Sequence, residues 1–359
     1  MTVFAPHPLG THRVIAPPGA MPQAAWKLDN TPIAHANEIL VDVETLNIDS
    51  ASFKQIAGAC ASDPQAIGEH VAATIRERGK QHNAVTGSGG MFVGTVLEIG
   101  RALRGKIALQ PGDRIASLVS LTLTPLLLES VTHVDVATGR IGVTAKAVLF
   151  ESGLWAKLPT DIATDVALAV LDVAAAPAQV RRLSKPGATV VIIGADGKSG
   201  LLACAQAKSH VGPRGRVIGV APNRATEAAR LLQTAHLVDA FVEGDACNAL
   251  ELADRVRIEA PDLADLVVNC VNVPGTEIAS ILCARDEGIV YFFSMSTSFT
   301  AAALGAEGVG KDITMIIGNG YAKGHAATAL QTLRDHPAIH EYFNRIYAPL
   351  AHHRKEIGS

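Results

Sequence analysis

Aromatic side chains are scarce: Phe, Trp and Tyr together make up 4% of the 359 residues. The core is therefore expected to be aliphatic. Cysteine is also sparse. The five residues at 60, 204, 247, 270 and 283 form no CxxC and no clustered Cys/His spacing, which excludes a disulfide framework and a structural zinc lobe. None of the 13 histidines belongs to an HExxH pattern. His82 reads as an ordinary surface residue and His352-His353 as part of a solvated tail. Basic blocks are missing and the net charge is −3, so neither nucleic acid nor an anionic membrane is expected as a partner. The greasiest stretches, 118–128 and 163–178, are interrupted by Pro or Asp and too short to span a bilayer. The opening MTVFAPHPLGTHR has no basic segment followed by an apolar run. A soluble, cytoplasmic protein is expected.

With 48% hydrophobic and 18% charged residues, the chain reads as globular, with room for one large or two ordinary domains. Up to about residue 158 it reads as mostly β. Residues 38–44 alternate charged and apolar side chains, the period of a half-buried strand. Strands are also expected at 92–99, 114–118 and 145–150, with a helical insert over 62–79. From Pro159 strands and helices alternate. Strands are expected at 188–193, 216–221, 240–242, 264–271, 288–294 and 312–318. Helices are expected at 163–183, 198–211, 224–235, 247–260 and 275–286, and a last helix at 325–343. This spacing implies βαβ units and a parallel sheet buried on both faces.

The stretch ATVVIIGADGKSGLLACAQAKSH (188–210) reads as strand, glycine turn and helix. A Walker A loop needs a glycine where Ile192 stands, inside the strand, so a nucleoside-triphosphatase loop is excluded. A dinucleotide turn fits better, with Gly194, Gly197 and Gly200 spaced one residue wider than G-x-G-x-x-G. Lys198 and Ser199 open the helix and are candidates for the pyrophosphate. The second strand ends in Ala221-Pro222-Asn223-Arg224, without the carboxylate that normally bonds the ribose hydroxyls. Asn223 and Arg224 are therefore expected near a 2′-phosphate, favouring NADP with NAD possible; alternatively, Arg224 only begins a helix. Asn269 and Val271 end a central strand, and Ser294 and Met295 end the next, completing the expected cofactor set.

The order of a β-rich domain, a dinucleotide domain and a returning helix resembles the medium-chain dehydrogenase/reductase superfamily. The marks are residues 38–58, 94–100 (GTVLEIG), 111–116 (PGDRIA), the glycine turn and 267–272 (VVNCVN). The resemblance implies an α/β chain with a GroES-like catalytic domain over 1–158, completed by the C-terminal helix 325–359. A Rossmann domain with a doubly wound parallel sheet would occupy 159–324. The motifs GTHRVI (10–15), LNIDSASFKQI (46–56), VTGSGGM (85–91) and FFSMSTSFTAAALGAEGVGKD (292–312) narrow the match to the L-erythro-3,5-diaminohexanoate dehydrogenase family. That family deaminates the C3 amine oxidatively to 5-amino-3-oxohexanoate and ammonia, in lysine fermentation. Its members carry an Asp where this chain has Ala221.

Aligned to zinc alcohol dehydrogenases, the three catalytic zinc positions become Asp49, Gly90 and Asp172, a donor set unfit for zinc. The resemblance thus implies zinc-independent chemistry with Asp49 and Asp172 acting jointly on a cationic amine; each could instead be a structural cap. Glu151 is a further candidate, or a salt-bridge residue. Lys54 is a candidate for the substrate carboxylate, and Ser88 and Thr86 for hydroxyls beside the nicotinamide. A small diamino acid is the expected partner, and a homodimer joined near 313–317 follows from the resemblance. Two alternatives stand beside this reading: a zinc-independent NADPH quinone or enone reductase, and a cofactor-binding protein without turnover.

Overall fold

A computed structural model describes residues 6–84, 87–318 and 320–348. The chain divides into two units, 1–164 and 165–359, a boundary a little later than the one expected after residue 158.

The first unit contains β1 (Val14–Ala16), β2 (Lys27–Leu28), β3 (Glu38–Asn47), α1 (Ser50–Ala59), α2 (Pro64–Arg78), β4 (Met91–Ile99), β5 (Arg114–Ser117), β6 (Leu126–Asp135), β7 (Arg140–Phe150) and β8 (Trp155–Lys157). Its six-stranded sheet runs β6-β7-β3-β4-β5-β8, antiparallel at each pairing. Alternation along β3 sends Ile39, Val41 and Val43 into a core with Phe92, Val96, Ile115 and Ile141, and the register shift between Val43 and Thr45 brings Leu46 into the same core. Asp42 and Glu44 on the opposite face are exposed. The sequence reading placed a strand at 145–150, within β7, but missed β6, the first half of β7 and the helix α1.

At the start of β3, Glu38 is buried and fully engaged. It receives Arg13 Nε (2.9 Å) and Nη2 (2.6 Å), His12 Nε2 (2.8 Å) and the His35 N–H (2.8 Å). His12 and His35 converge on this carboxylate, but with Arg13 already on both of its oxygens the cluster serves as a latch for the N-terminal segment.

The second unit alternates helices and strands. Its strands are β9 (Thr189–Ile193), β10 (Arg216–Ala221), β11 (Ala240–Glu243), β12 (Ala264–Asn269), β13 (Ala284–Phe292) and β14 (Thr314–Ile317). Its helices are α3 (Thr164–Leu171, whose first residue precedes the division), α4 (Ala175–Leu183), α5 (Lys198–Val211), α6 (Glu227–Thr234), α7 (Ala249–Glu259), α8 (Glu277–Cys283), α9 (Phe299–Val309), α10 (His325–Asp335) and α11 (Pro337–Tyr347). The sheet order β11-β10-β9-β12-β13-β14 is parallel throughout. The chain order reverses between β9 and β12, so a crevice opens beyond their carboxyl ends. β9 is buried on both faces, as its β-branched run requires. β14 is the outer strand and Ile317 on it is 57% exposed.

Two expected helices are interrupted. Residues 163–183 form α3 and α4 because Pro177, in the first turn of α4, lacks an N–H and would clash inside a continuous helix. The last helix likewise breaks before Pro337. The final helices pack on other helices of the second unit. α10 packs on α4 and α5 and α11 on α6, burying Leu333, Ile339 and Phe343, and Gln206 of α5 donates to Thr332 of α10 at 2.9 Å. Residues 349–359, which include His352-His353, lie outside the described residues. No helix among those described is long and apolar enough to cross a membrane.

Candidate active site

In the first unit the chemistry gathers where β3 hands over to α1. Asp49 caps α1, its Oδ1 accepting the Ser52 N–H at 3.0 Å. Its Oδ2 is buried and has no hydrogen-bond partner among the described residues, an unusual state for a carboxylate oxygen. Residues 81–84 and 87–90 lie against this corner. Asn83 Nδ2 donates to Gln55 Oε1 (2.5 Å) and to the Ser52 carbonyl (3.4 Å). The Asn83 N–H donates to the Ser88 carbonyl at 2.8 Å, which holds half-buried Ser88 in the loop. Gly90 has φ +84°, and a Cβ there would lie 2.1 Å from the Asn47 carbonyl and 2.9 Å from the Asp49 nitrogen. Two of the aligned zinc positions therefore adjoin, and the second can carry no ligand. Thr86 lies outside the described residues.

Glu151 is not part of this corner. It follows β7, whose end pairs with the start of β3, whereas Asp49 follows the end of β3. A strand of that length separates the two carboxylates by roughly 30 Å. Glu151 is exposed and accepts Asn37 Nδ2 at 3.2 Å. Lys54 is exposed on α1. His82 is half-buried, and its Nδ1 is buried without a partner among the described residues. Burial, then the charges of Lys80 and Arg78, hold its pKa below the ordinary histidine value. It is thus not the surface residue that composition suggests.

His12, His325 and His336 are likewise lowered, with burial the largest cause in each. The folded chain takes up protons on these rings at lower pH than an unfolded chain, which titrates near about 6.5. Their stabilising contribution is therefore present above about pH 7 and lost in acid. The melting temperature is expected to fall between about pH 7.5 and 5.5, and less steeply in His82→Gln. Scanning fluorimetry across that range checks this; a flat or rising profile contradicts it.

In the second unit the glycine turn joins β9 to α5. Gly194 has φ +80°, and Val271, at the end of β12, lies over it, 3.0 Å from where a Cβ would be. At Gly200 a Cβ would fall 2.1 Å from the Gly194 carbonyl oxygen, so only glycine lets α5 approach the strand. Gly197 precedes α5 with no side chain capping the helix. By contrast, Asp63, Thr226 and Ser298 cap α2, α6 and α9. The α5 N–H groups are left for an anion, and the cradle fits a dinucleotide pyrophosphate.

Several expected cofactor residues have other partners. Lys198 Nζ is 2.7 Å from Asp172 Oδ2, both side chains about one-fifth exposed, so the turn before α4 is tied to the start of α5. Sequence gave no hint of this pairing. Ser199 is buried against the Cys270 thiol. The Asn269 side chain is fully buried; it donates to Thr276 Oγ1 (2.8 Å) and Ser280 Oγ (2.9 Å) and accepts the Val271 N–H (2.9 Å). It therefore braces the 270–276 loop and is not free to meet a ligand. Ser294 Oγ bonds Asn272 Oδ1 at 2.8 Å, and Met295 is 84% exposed. Asn223 closes its own turn on the Ala225 N–H at 2.7 Å.

The Arg224 guanidinium, expected to meet a 2′-phosphate, donates to the Phe241 carbonyl at 2.5 Å and lies 5.9 Å from the Phe241 ring centroid. A carboxylate that sequence reasoning missed stands beside it. Glu243, at the end of β11, accepts the Arg224 N–H at 2.9 Å.

The family model of the L-erythro-3,5-diaminohexanoate dehydrogenase N-terminal domain matches residues 12–159. The chain is 49% identical over 338 residues to the L-erythro-3,5-diaminohexanoate dehydrogenase of Acetoanaerobium sticklandii, covering 94% of this chain and 98% of that one. It is 50% identical over 340 residues to the enzyme of the same name from Fusobacterium nucleatum, with the same coverage. Among solved structures, the CurK enoyl reductase has a similar fold, with a TM-score of 0.54 at 15% identity over 86% of this chain and 82% of that one. Half-identity sustained across nearly the full length of both relatives, together with the matched N-terminal domain, shows that this chain belongs to the L-erythro-3,5-diaminohexanoate dehydrogenase family.

Proposed function

We propose that the chain oxidises L-erythro-3,5-diaminohexanoate at C3, giving 5-amino-3-oxohexanoate and ammonia. The observation that carries this reading is the buried, unpartnered Oδ2 of Asp49. An enone or quinone reductase has no use for a desolvated carboxylate oxygen, whereas a cationic amine both pairs with one and must lose a proton to it. Hydride can leave C3 only when the nitrogen lone pair is free. A nicotinamide dinucleotide held at the Gly194–Gly200 turn and the start of α5 would supply the hydride acceptor.

Asp49 Oδ2 takes the proton from the C3 ammonium while Oδ1 stays bound to the Ser52 N–H, which fixes the carboxylate on α1. The carboxylate then lies beside the cationic C=N formed at C3 and favours its development electrostatically. Water adds to that carbon and passes one proton to the nitrogen; ammonia leaves as the carbonyl forms, and the hydroxyl proton and the proton held by Asp49 are released to solvent. Asp172 acts through Lys198, whose ammonium it holds at the opening of α5, the end at which the pyrophosphate binds. The pair is thus a positioning device for the dinucleotide, and Asp49 alone is assigned to the amine. Glu151 takes no part.

Incubation with L-erythro-3,5-diaminohexanoate and NAD or NADP is expected to produce reduced nicotinamide and ammonia in equal amounts. Reduction of enones or quinones without ammonia release from the diamine would overturn the assignment.

A further inference from the structure

Ala221 leaves the end of β10 without the acidic group that ordinarily accepts the adenosine ribose hydroxyls. β11 lies beside β10 in parallel register, and the residue paired with Ala221 is Glu243. The Gly244 N–H donates to the Ala221 carbonyl at 3.0 Å, which ties the two strand ends together. The Glu243 side chain turns toward the loop after β10, where its Oε2 accepts the Arg224 N–H at 2.9 Å. Glu243 is exposed, so its carboxylate keeps capacity for further donors.

A second carboxylate approaches the same loop from the glycine turn: Asp196 Oδ2 accepts Thr226 Oγ1 at 3.3 Å. Arg224, the cation of this loop, points its guanidinium at the Phe241 carbonyl. Two acids therefore surround the loop and its cation is directed onto backbone. A ribose diol offers two O–H donors and no charge, which suits a carboxylate. A 2′-phosphate brings negative charge against Glu243 and Asp196, and like-charge contact is an effective way to reject a competing ligand.

We propose that Glu243 is the ribose-binding and cofactor-selecting residue of this enzyme, acting from β11 in place of a carboxylate at position 221, so that the chain selects NAD over NADP. Arg224 is a positioning residue that braces the loop against β11. The proposal rests on the dinucleotide reading of the glycine turn.

Calorimetric titration of the full chain with NAD and with NADP, in the absence of substrate, tests it. The unaltered protein is expected to bind NAD at least about tenfold more tightly, the scale of a hydrogen bond to a charged group. Glu243→Gln keeps an oxygen for the Arg224 N–H but removes the charge; it is expected to weaken NAD roughly tenfold without weakening NADP. Ala221→Asp added to that variant is expected to restore the NAD preference. Arg224→Ala is expected to weaken both dinucleotides alike. Tighter NADP binding by the unaltered protein, an unchanged NAD/NADP ratio in Glu243→Gln, or a loss confined to NADP in Arg224→Ala would each overturn the proposal and leave the glycine turn as a dinucleotide site. Failure to bind either dinucleotide would overturn both readings.

Discussion

Asp49→Asn is expected to lose between about a hundredfold and ten-thousandfold in kcat while folding and binding the dinucleotide as before. That range is what a positioned proton acceptor contributes. The substitution is informative because the two oxygens of Asp49 do different work. Oδ1 caps α1 through the Ser52 N–H, and Oδ2 is buried without a partner. Asparagine is as good a cap as aspartate, so the amide keeps the first contact and removes only the charge and basicity of the second. Asp49→Ala removes both and is expected to cost a further ~1 kcal/mol of stability. Steady-state kinetics, dinucleotide titration and melting of the three proteins check this. An Asp49→Asn enzyme with undiminished kcat would remove Asp49 from the proton path. One that melts early would show that the charge on Oδ2 holds the fold of this corner, since the cap itself is retained.

Much of the second unit was legible because its central strands are buried on both faces and spell out their burial. The run Thr189–Ile193 admits no amphipathic reading, and the glycines that follow mark where the strand must stop. The interrupted helices were also signalled, by Pro177 and Pro337. β6 was harder to see. Leu126, Leu127 and Leu128 precede Glu129 and Ser130 without clean alternation, and register shifts break its ladder with β7. Its pairing depends on the hairpin at 136–139.

The candidate residues Asp49 and Asp172 could be singled out by aligning glycines, but their partners could not. The Asp172–Lys198 pair and the Arg224–Phe241 contact join residues that only the packed unit brings together. Glu243 was invisible for the same reason. In sequence it is one acid among 34 Asp and Glu residues. Only the parallel register of β10 and β11 sets it opposite Ala221. Sequence periodicity reports which face of an element is buried; it does not report which side chain of a neighbouring strand completes a site.

Gly90→Ala is expected to be among the most damaging single-methyl additions to the first unit, lowering both stability and kcat. Two costs combine there. A residue with a side chain at φ +84° is strained by about 1–2 kcal/mol. The added Cβ would also fall 2.1 Å from the Asn47 carbonyl oxygen and 2.7 Å from the Ile48 Cα. Both are backbone atoms, so no side chain can rotate away, and overpacking of this kind costs a further ~1–3 kcal/mol. Relief requires movement of the segment that carries Asp49, so activity should fall with stability. Gly105→Ala separates the two costs. Its φ is +74°, but nothing lies within 4 Å of the new Cβ, so it carries the strain alone. Gly90→Ala is therefore expected to melt well below Gly105→Ala and to lose kcat, while Gly105→Ala keeps full kcat. Similar melting of the two variants would mean that the β3–α1 corner yields to the methyl group, and full activity in Gly90→Ala would mean that the position of Asp49 does not depend on that contact. Gly90→Cys, which places a thiol at an aligned zinc position, meets the same backbone atoms and is expected to destabilise the corner just as strongly.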